Sequence, residues 1–137
     1  MKKFYSNIDK SQLLHIIYRQ EDIVSPRQNI TPAEKYLQVA SIKMSDGHTF
    51  KAHKHIEQIR TTDIAQESWV VIKGKVKVIL YDLDDSILDT PVLNEGDCSI
   101  TFRAGHNYES LEDDTIVYEF KTGPYQGVEK DKVFLEK

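Results

Sequence analysis

Short runs rich in Val, Ile, Thr and aromatic residues make up most of the chain after residue 36. Turn signals separate these runs, among them Ser45-Asp46-Gly47, Lys73-Gly74, Asn94-Glu95-Gly96 and Thr122-Gly123-Pro124. Strands separated by turns roughly every 8–12 residues are typical of all-β sandwiches and barrels, whereas parallel sheets need longer helical crossovers between their strands. The sequence therefore predicts an all-β fold.

The first 35 residues are less regular, and we interpret 1–35 as an N-terminal extension. The apolar stretch Leu13–Tyr18 is expected to be an edge strand or a short helix. Thr31-Pro32-Ala33-Glu34 has the capping pattern that starts a helix. Residues 36–126 are predicted to form a β-barrel, and 127–137 a charged C-terminal tail.

Charge and composition exclude several classes of protein. The formal net charge is −4, and no basic stripe stands out, so nucleic-acid binding has little support. The apolar run at residues 13–17 is too short for a membrane span or a signal peptide. Cys98 is the only cysteine, which rules out an internal disulfide and suits a reducing compartment. We therefore expect a cytoplasmic protein.

Three features suggest a metal or active site. If His53-Lys54-His55 lies on a strand, both imidazoles face one side, and Lys51 shares that side at the rim of a pocket. Glu67 opens another predicted strand, on which Trp69 and Val71 alternate with it and are expected to line the interior. His106 directly follows Gly105 in a glycine-bounded segment.

Together these residues resemble the two sequence motifs of the cupin superfamily. The first motif is matched by Gly47-(x5)-His53-x-His55 followed by Glu67-(x6)-Gly74, and the second by Gly96-(x9)-His106. The resemblance implies a cupin-type β-barrel, that is, a jelly roll or double-stranded β-helix. It also implies one divalent metal ion bound by His53, His55, Glu67 and His106. Glu57 is a rival ligand to Glu67, but it lacks the spacing to a following glycine.

Three imidazoles and one carboxylate suit Fe(II), Mn(II), Ni(II), Co(II) or Zn(II), and the sequence does not choose among these metals.

Glu119 and Lys121 alternate with Val117 on one face of the predicted strand Ile116–Lys121. They are either an acid and a base inside the barrel or an outward ion pair. Tyr108 follows His106 on the same face, where it is either a ligand-binding hydroxyl or a half-buried aromatic. Cys98 is expected in the core.

The ending Phe120-Lys121-Thr122-Gly123-Pro124-Tyr125 resembles that of small uncharacterised cupins associated with bacterial surface-polysaccharide or nucleotide-sugar pathways. This resemblance implies a metal-dependent isomerase, epimerase or dioxygenase acting on a small oxygen-rich metabolite, such as a sugar or sugar nucleotide. Ala52-His53-Lys54 and Ile56-Glu57-Gln58 also resemble the metal-free sugar-nucleotide ketoisomerases. A non-catalytic ligand-binding cupin is the third alternative. We further expect a homodimer, and a loop over Ile56–Gln66 that covers the mouth of the pocket.

Overall fold

The computed structural model of the protein describes residues 1–136. These residues form eleven β-strands, a 3₁₀ turn and one short helix. The strands are β1 (Lys2–Tyr5), β2 (Leu13–Tyr18), β3 (Arg27–Asn29), β4 (Ala40–Ile42), β5 (Glu67–Lys73), β6 (Val76–Tyr81), β7 (Ile87–Asp89), β8 (Val92–Leu93), β9 (Cys98–Thr101), β10 (His106–Ser110) and β11 (Ile116–Lys121), and the helix is α1 (Val128–Asp131). Within this described part, no helix is long and apolar enough to cross a membrane.

The strands form three antiparallel sheets, which confirms the all-β prediction. The largest sheet has the strand order β1-β2-β9-β5-β11. The second has the order β10-β6-β7, with β8 also paired to β6, and the third is the β3-β4 pair. Strands β10 and β11 each end their sheet. Within residues 1–136, β10 and β11 are therefore not paired with each other, and the two large sheets do not close into a barrel at these strands.

One apolar core fills the space between the two large sheets. Alternate residues of each strand point into this space, because successive side chains on a strand face opposite sides. The five-stranded sheet contributes buried Phe4, Ile17 and Val71. The facing strands contribute buried Val76, Val78, Leu80 and Leu93.

A second core lies on the other face of the five-stranded sheet. It contains Leu13, Ile16, Tyr18, Cys98, Ile100 and Phe102, covered by Ile30 and by partly buried Leu37 and Val39. All six residues of β2 are consequently buried. A continuous apolar run is the pattern expected of a strand covered on both faces.

Two expectations for the N-terminal region were wrong. The stretch Leu13–Tyr18 is neither an edge strand nor a helix, because β1 pairs with one of its edges and β9 with the other. The residues assigned to an N-terminal extension thus supply two strands of the main sheet. Residues 31–37 form turns rather than a helix. Instead of capping a helix, the Thr31 hydroxyl accepts a hydrogen bond from the Val39 amide at 3.0 Å.

His15 is fully buried on β2, although nothing in its sequence context indicates this. Its Nε2 donates to the Tyr81 carbonyl at 2.8 Å, and its Nδ1 lies 3.0 Å from the Thr101 hydroxyl. The carbonyl can only accept, so Nδ1 is the unprotonated nitrogen and accepts from Thr101. Burial lowers the pKa of His15 to about 4, because a charged imidazolium would lose its hydration there.

We expect His15 to contribute to the pH dependence of folding stability. Its pKa falls from 6.5 to about 4 on folding, so the unfolded chain takes up the proton first as the pH drops. The free energy of unfolding should therefore fall between about pH 6.5 and pH 4, by on the order of 3 kcal/mol at the lower end. Urea unfolding measured across this pH range should show that the free energy of unfolding falls less in His15→Gln than in the wild type. The control His48→Gln changes an exposed histidine and should keep the wild-type slope. Equal slopes in wild type and His15→Gln would contradict the assignment.

Candidate functional site

A row of polar side chains crosses one end of the five-stranded sheet on the face turned toward the second sheet. The strand register places His15 beside Thr101, Thr101 beside Glu67, and Glu67 beside Lys121. Directly opposed residues of antiparallel strands share a face, so these side chains are neighbours. His106 reaches Glu67 from β10 in the opposite sheet. We call Glu67, His106, Trp69, Tyr108 and Lys121 the polar cluster.

The centre of the polar cluster is a contact between Glu67 and His106. Glu67 is only 7% exposed, and its Oε1 accepts a hydrogen bond from Trp69 Nε1 at 2.7 Å. His106 Nε2 lies 3.3 Å from the same oxygen. Burial alone would raise the pKa of the Glu67 carboxyl. The hydrogen bond and the charge of His106, together with the hydrogen bond from Trp69, have a larger effect in the opposite direction, so the pKa lies below its usual value. Glu67 is therefore an ionised carboxylate, and His106 Nε2 carries the proton between them.

The other ring nitrogen of His106 is left without a partner. Nδ1 is buried and makes no hydrogen bond within residues 1–136. A buried nitrogen that pairs with nothing costs stability, so such atoms often mark the position of a ligand or water. With Nε2 protonated toward Glu67, Nδ1 is the nitrogen free to accept a proton.

Two aromatic rings wall the polar cluster. Trp69 and Tyr108 stack with centroids 3.8 Å apart and planes inclined by 7°. The Tyr108 hydroxyl shares a hydrogen bond of 2.9 Å with Ser99, and burial raises the pKa of this phenol above its usual value. Tyr108 thus shares the face of His106, as predicted, but its hydroxyl is already paired. Trp69 and Val71 both face the interior beside Glu67, which confirms their predicted alternation.

Lys121 supplies a fixed positive charge at the edge of the polar cluster. Its Nζ lies 3.3 Å from Asp131 Oδ2, 3.7 Å from Glu119 Oε1 and 4.2 Å from the centre of the Tyr125 ring. Burial lowers the pKa of Lys121, but Asp131 and Glu119 outweigh it and leave the pKa above its usual value. Lys121 therefore acts as a cation and not as a base. Lys121 is partly buried on the inner face of β11, whereas Glu119 on the same face is exposed, so the pair is neither a buried acid and base nor a fully outward ion pair.

The C-terminal segment packs against this end of the sheets. Asp131 of α1 pairs with Lys121, and the charge of Lys132 helps to lower the pKa of Glu67. Leu135 lies so close to Gly105 that a Cβ atom there would come within 2.6 Å of its Cδ1. The predicted tail of residues 127–137 is therefore partly docked, and its last position lies outside the described residues. Nothing in the charged tail singles out Asp131 as a partner of Lys121.

The predicted strand around His53 and His55 is absent from the described residues, and that expectation was wrong. Residues 43–66 contain neither strand nor helix, and Lys51, His53 and His55 are all exposed. The two imidazole rings lie 5.7 Å apart, and His53 Nδ1 bonds to the Lys51 carbonyl at 2.9 Å. A strand requires a neighbour to pair with, and no strand of residues 1–136 pairs with this segment.

Of the four predicted metal ligands, the structure brings Glu67 and His106 together but not His53 and His55. No group of three or more His, Cys, Asp or Glu side chains able to hold a metal ion occurs in residues 1–136. As placed, these side chains do not fit a metal ion. Cys98 is no neighbour of Glu67 either, because it belongs to the core on the opposite face of the sheet. Burial there raises its pKa to about 12.

Two surface clefts, of about 230 and 200 Å³, contain no residue of the polar cluster. One is lined by Met1 and Arg19, and the other by Phe102 and Arg103. A scan against protein-family models and searches of curated proteins and of solved structures found no match to this chain.

Trp69→Phe should raise the pKa of Glu67, because the variant loses the Nε1–H that stabilises the carboxylate. Phenylalanine still places an aromatic ring against Tyr108. Carbon-detected NMR titration of the Glu67 carboxyl would measure this change. The control Tyr108→Phe removes a hydroxyl that bonds to Ser99 and not to Glu67, so the Glu67 titration should stay near that of the wild type. An unchanged pKa in Trp69→Phe would contradict the assigned hydrogen bond.

Proposed function

We propose that this protein binds a small oxygen-rich metabolite, such as a sugar or sugar nucleotide, at the polar cluster and moves a proton on it, as isomerases and epimerases do. The observation that carries this proposal is the Glu67–His106 pair with its unpartnered Nδ1. We also propose that the two facing sheets are a cupin-type jelly roll in a cytoplasmic protein. The meeting of Glu67 on one sheet with His106 on the other supports this fold, since the residues come from the two motif-like segments.

The residues of the cluster suit proton transfer next to a carbonyl group. Nδ1 is buried in the unliganded chain, so the ligand would have to displace the side chains that cover it. His106 Nδ1 would then take a proton from the carbon beside the substrate carbonyl, and Glu67 would stabilise the imidazolium that forms. The Lys121 ammonium would stabilise the negative charge that develops on the carbonyl oxygen. Returning the proton to the former carbonyl carbon, while a proton passes from the neighbouring hydroxyl to the former carbonyl oxygen, gives isomerisation. Addition of a proton from solvent water to the opposite face of the original carbon gives epimerisation.

The aromatic wall suits a flat or ring-shaped ligand. The stacked pair of Trp69 and Tyr108 presents an apolar surface next to charged groups. Such a surface can pack against the face of a sugar ring or a nucleobase, while Glu67 accepts a hydrogen bond from a sugar hydroxyl and Lys121 pairs with a phosphate oxygen. This combination favours a sugar-type ligand over a purely apolar one.

A panel of keto and non-keto sugar nucleotides tests the proposal, with binding followed by calorimetry and solvent-deuterium incorporation into the sugar followed by NMR. We expect at least one ligand to bind and to exchange a proton beside its carbonyl. Glu67→Gln and His106→Gln should each slow this exchange by about 100-fold or more. The control Glu109→Gln lies on β10 but is exposed and paired with Lys77, so it should behave as the wild type. Absence of binding across the panel, or full exchange in both cluster variants, would contradict the proposal.

A divalent metal is a second candidate ligand, favoured by one observation. Glu67 and His106 are two of the four implied metal ligands, and their donor types are the ones such metals accept. The arrangement seen in a single chain lacks the remaining two donors, so metal binding would require His53 and His55 to move onto the cluster. Metal chemistry therefore plays no part in the mechanism above.

Elemental analysis of protein purified without chelator would check the metal candidate. If the four residues bind metal, wild type should contain about one ion per chain, and the double variant His53→Ala/His55→Ala should contain none. The control Glu57→Ala changes an exposed carboxylate near both histidines and should keep the metal. Wild type that holds no metal, and takes up none when it is added, would rule this candidate out.

A further inference from the structure

Residues 44–62, which we call the arm, stand apart from the rest of the chain. Residues 44–61 are all exposed. Every hydrogen bond that the arm makes within the described chain ends at a residue between 45 and 64. Its apolar side chains are open to solvent, with Phe50 53%, Ile56 75% and Ile59 99% exposed. Several large apolar side chains exposed within one short segment suit an interface better than contact with water.

Both ends of the arm are held on the body of the protein. On one side the Lys43 amide donates to the Pro26 carbonyl at 2.8 Å. On the other side Asp63 pairs with Arg103 at 3.0 Å. A turn at Ser45–His48, closed by a bond of 3.1 Å from the His48 amide to the Ser45 carbonyl, divides the arm unequally. The longer limb follows this turn and contains the histidines.

Two strands of the protein, β10 and β11, have an edge with no further strand beside it within residues 1–136. We call these two free edges the seam, and along them both strands leave one row of backbone groups without a sheet partner. The outer face of β11 exposes Ile116, Tyr118 and Phe120. Unprotected strand edges with apolar neighbours readily accept a further strand.

The longer limb has the pattern of such a strand. Phe50, Ala52 and Ile56 alternate with His53 and His55, so a paired limb would place apolar side chains on one face and imidazoles on the other. The charges are also complementary. Residues 48–56 contain three histidines, two lysines and no acidic residue. Residues 107–120 contain five acidic residues, of which Glu109, Glu112 and Glu119 contact lysines of their own chain, and the neighbouring Asp113 and Asp114 add further negative charge.

We propose that the arm of each chain lies across the seam of a second copy, so that the protein is an arm-exchanged homodimer. The arm makes no hydrogen bond to the rest of its own chain beyond Ile64. Because both of its ends are held, its 19 residues can extend outward by at most half their length, or about 30 Å, which is enough to reach across a neighbouring small domain. Exchange around a two-fold axis fills both seams with both arms, so neither seam is left to recruit further copies.

The exchange also completes the polar cluster. A limb paired along the edge of β10 would turn His53 and His55 of one chain toward Glu67 and His106 of the other. Each site would then be built from two chains and enclosed by the arm. The dimer does not rest on the proposed function. Failure of the dimer would appear in molecular mass and cross-linking, and failure of the function in sugar-nucleotide binding.

The first test is the mass in solution, measured by light scattering. Wild type should have twice the chain mass of 15.9 kDa. The double variant Ile56→Glu/Ile59→Glu should be a folded monomer, because its arm can no longer bury these side chains. The matched control Ile8→Glu/Val24→Glu changes two exposed apolar residues outside the arm and should stay dimeric. A monomeric wild type at every concentration, or an unaltered dimer in the arm variant, would overturn the proposal.

The second test locates the arm by cross-linking with a short bismaleimide. Chains carrying Ala52→Cys and chains carrying Asn107→Cys are co-expressed, and the proposal expects a covalent dimer between them. Native Cys98 is buried, with a thiol pKa of about 12, so it should not react. A chain carrying both changes that cross-links only to itself would place the arm on its own seam and overturn the proposal. A dimer with no arm-to-seam cross-link would overturn it as well.

Discussion

Burial of both faces of β2 holds the architecture together. Ile17 on this strand packs into the core between the two sheets, while Ile16 packs into the second core under the β3-β4 segment. Complete burial of one such side chain contributes about 2 kcal/mol. Because β2 lies between β1 and β9, loss of this strand would separate β1 from the sheet and expose both cores together.

The polar cluster lies at the end of the inter-sheet core, where charge can be accommodated at lower cost. A carboxylate among apolar side chains alone would be strongly destabilising. Glu67 avoids this because Trp69 donates to it, His106 contacts it, and the positive charges of Lys121 and Lys132 lie nearby. Within residues 1–136 the same arrangement leaves His106 Nδ1 without a hydrogen bond. The contact between His106 and Glu67 therefore both stabilises the buried carboxylate and orients the imidazole for the proposed chemistry.

The open seam and the arm have a common physical origin. A sheet edge needs a partner for its backbone groups, and a strand-patterned segment needs an edge to pair with. Within residues 1–136, β10 and β11 lack further strand partners, while residues 44–61 lie exposed with four uncovered large apolar side chains, Met44, Phe50, Ile56 and Ile59. Each feature could supply what the other lacks, and the proposed exchange between two copies would pair both.

Local sequence pattern determined the all-β class, the inward alternation of Glu67, Trp69 and Val71, and the burial of Cys98. These features follow from the two-residue repeat of a strand and from local turn chemistry. The tertiary structure alone decided that β2 lies inside a sheet, that His15 is buried, and that Asp131 reaches Lys121. It also decided that His53 and His55 stand apart from Glu67. Alternation tells which residues share a face, but strand neighbours are set by pairing between residues far apart in sequence, and this pairing leaves no mark on either segment alone.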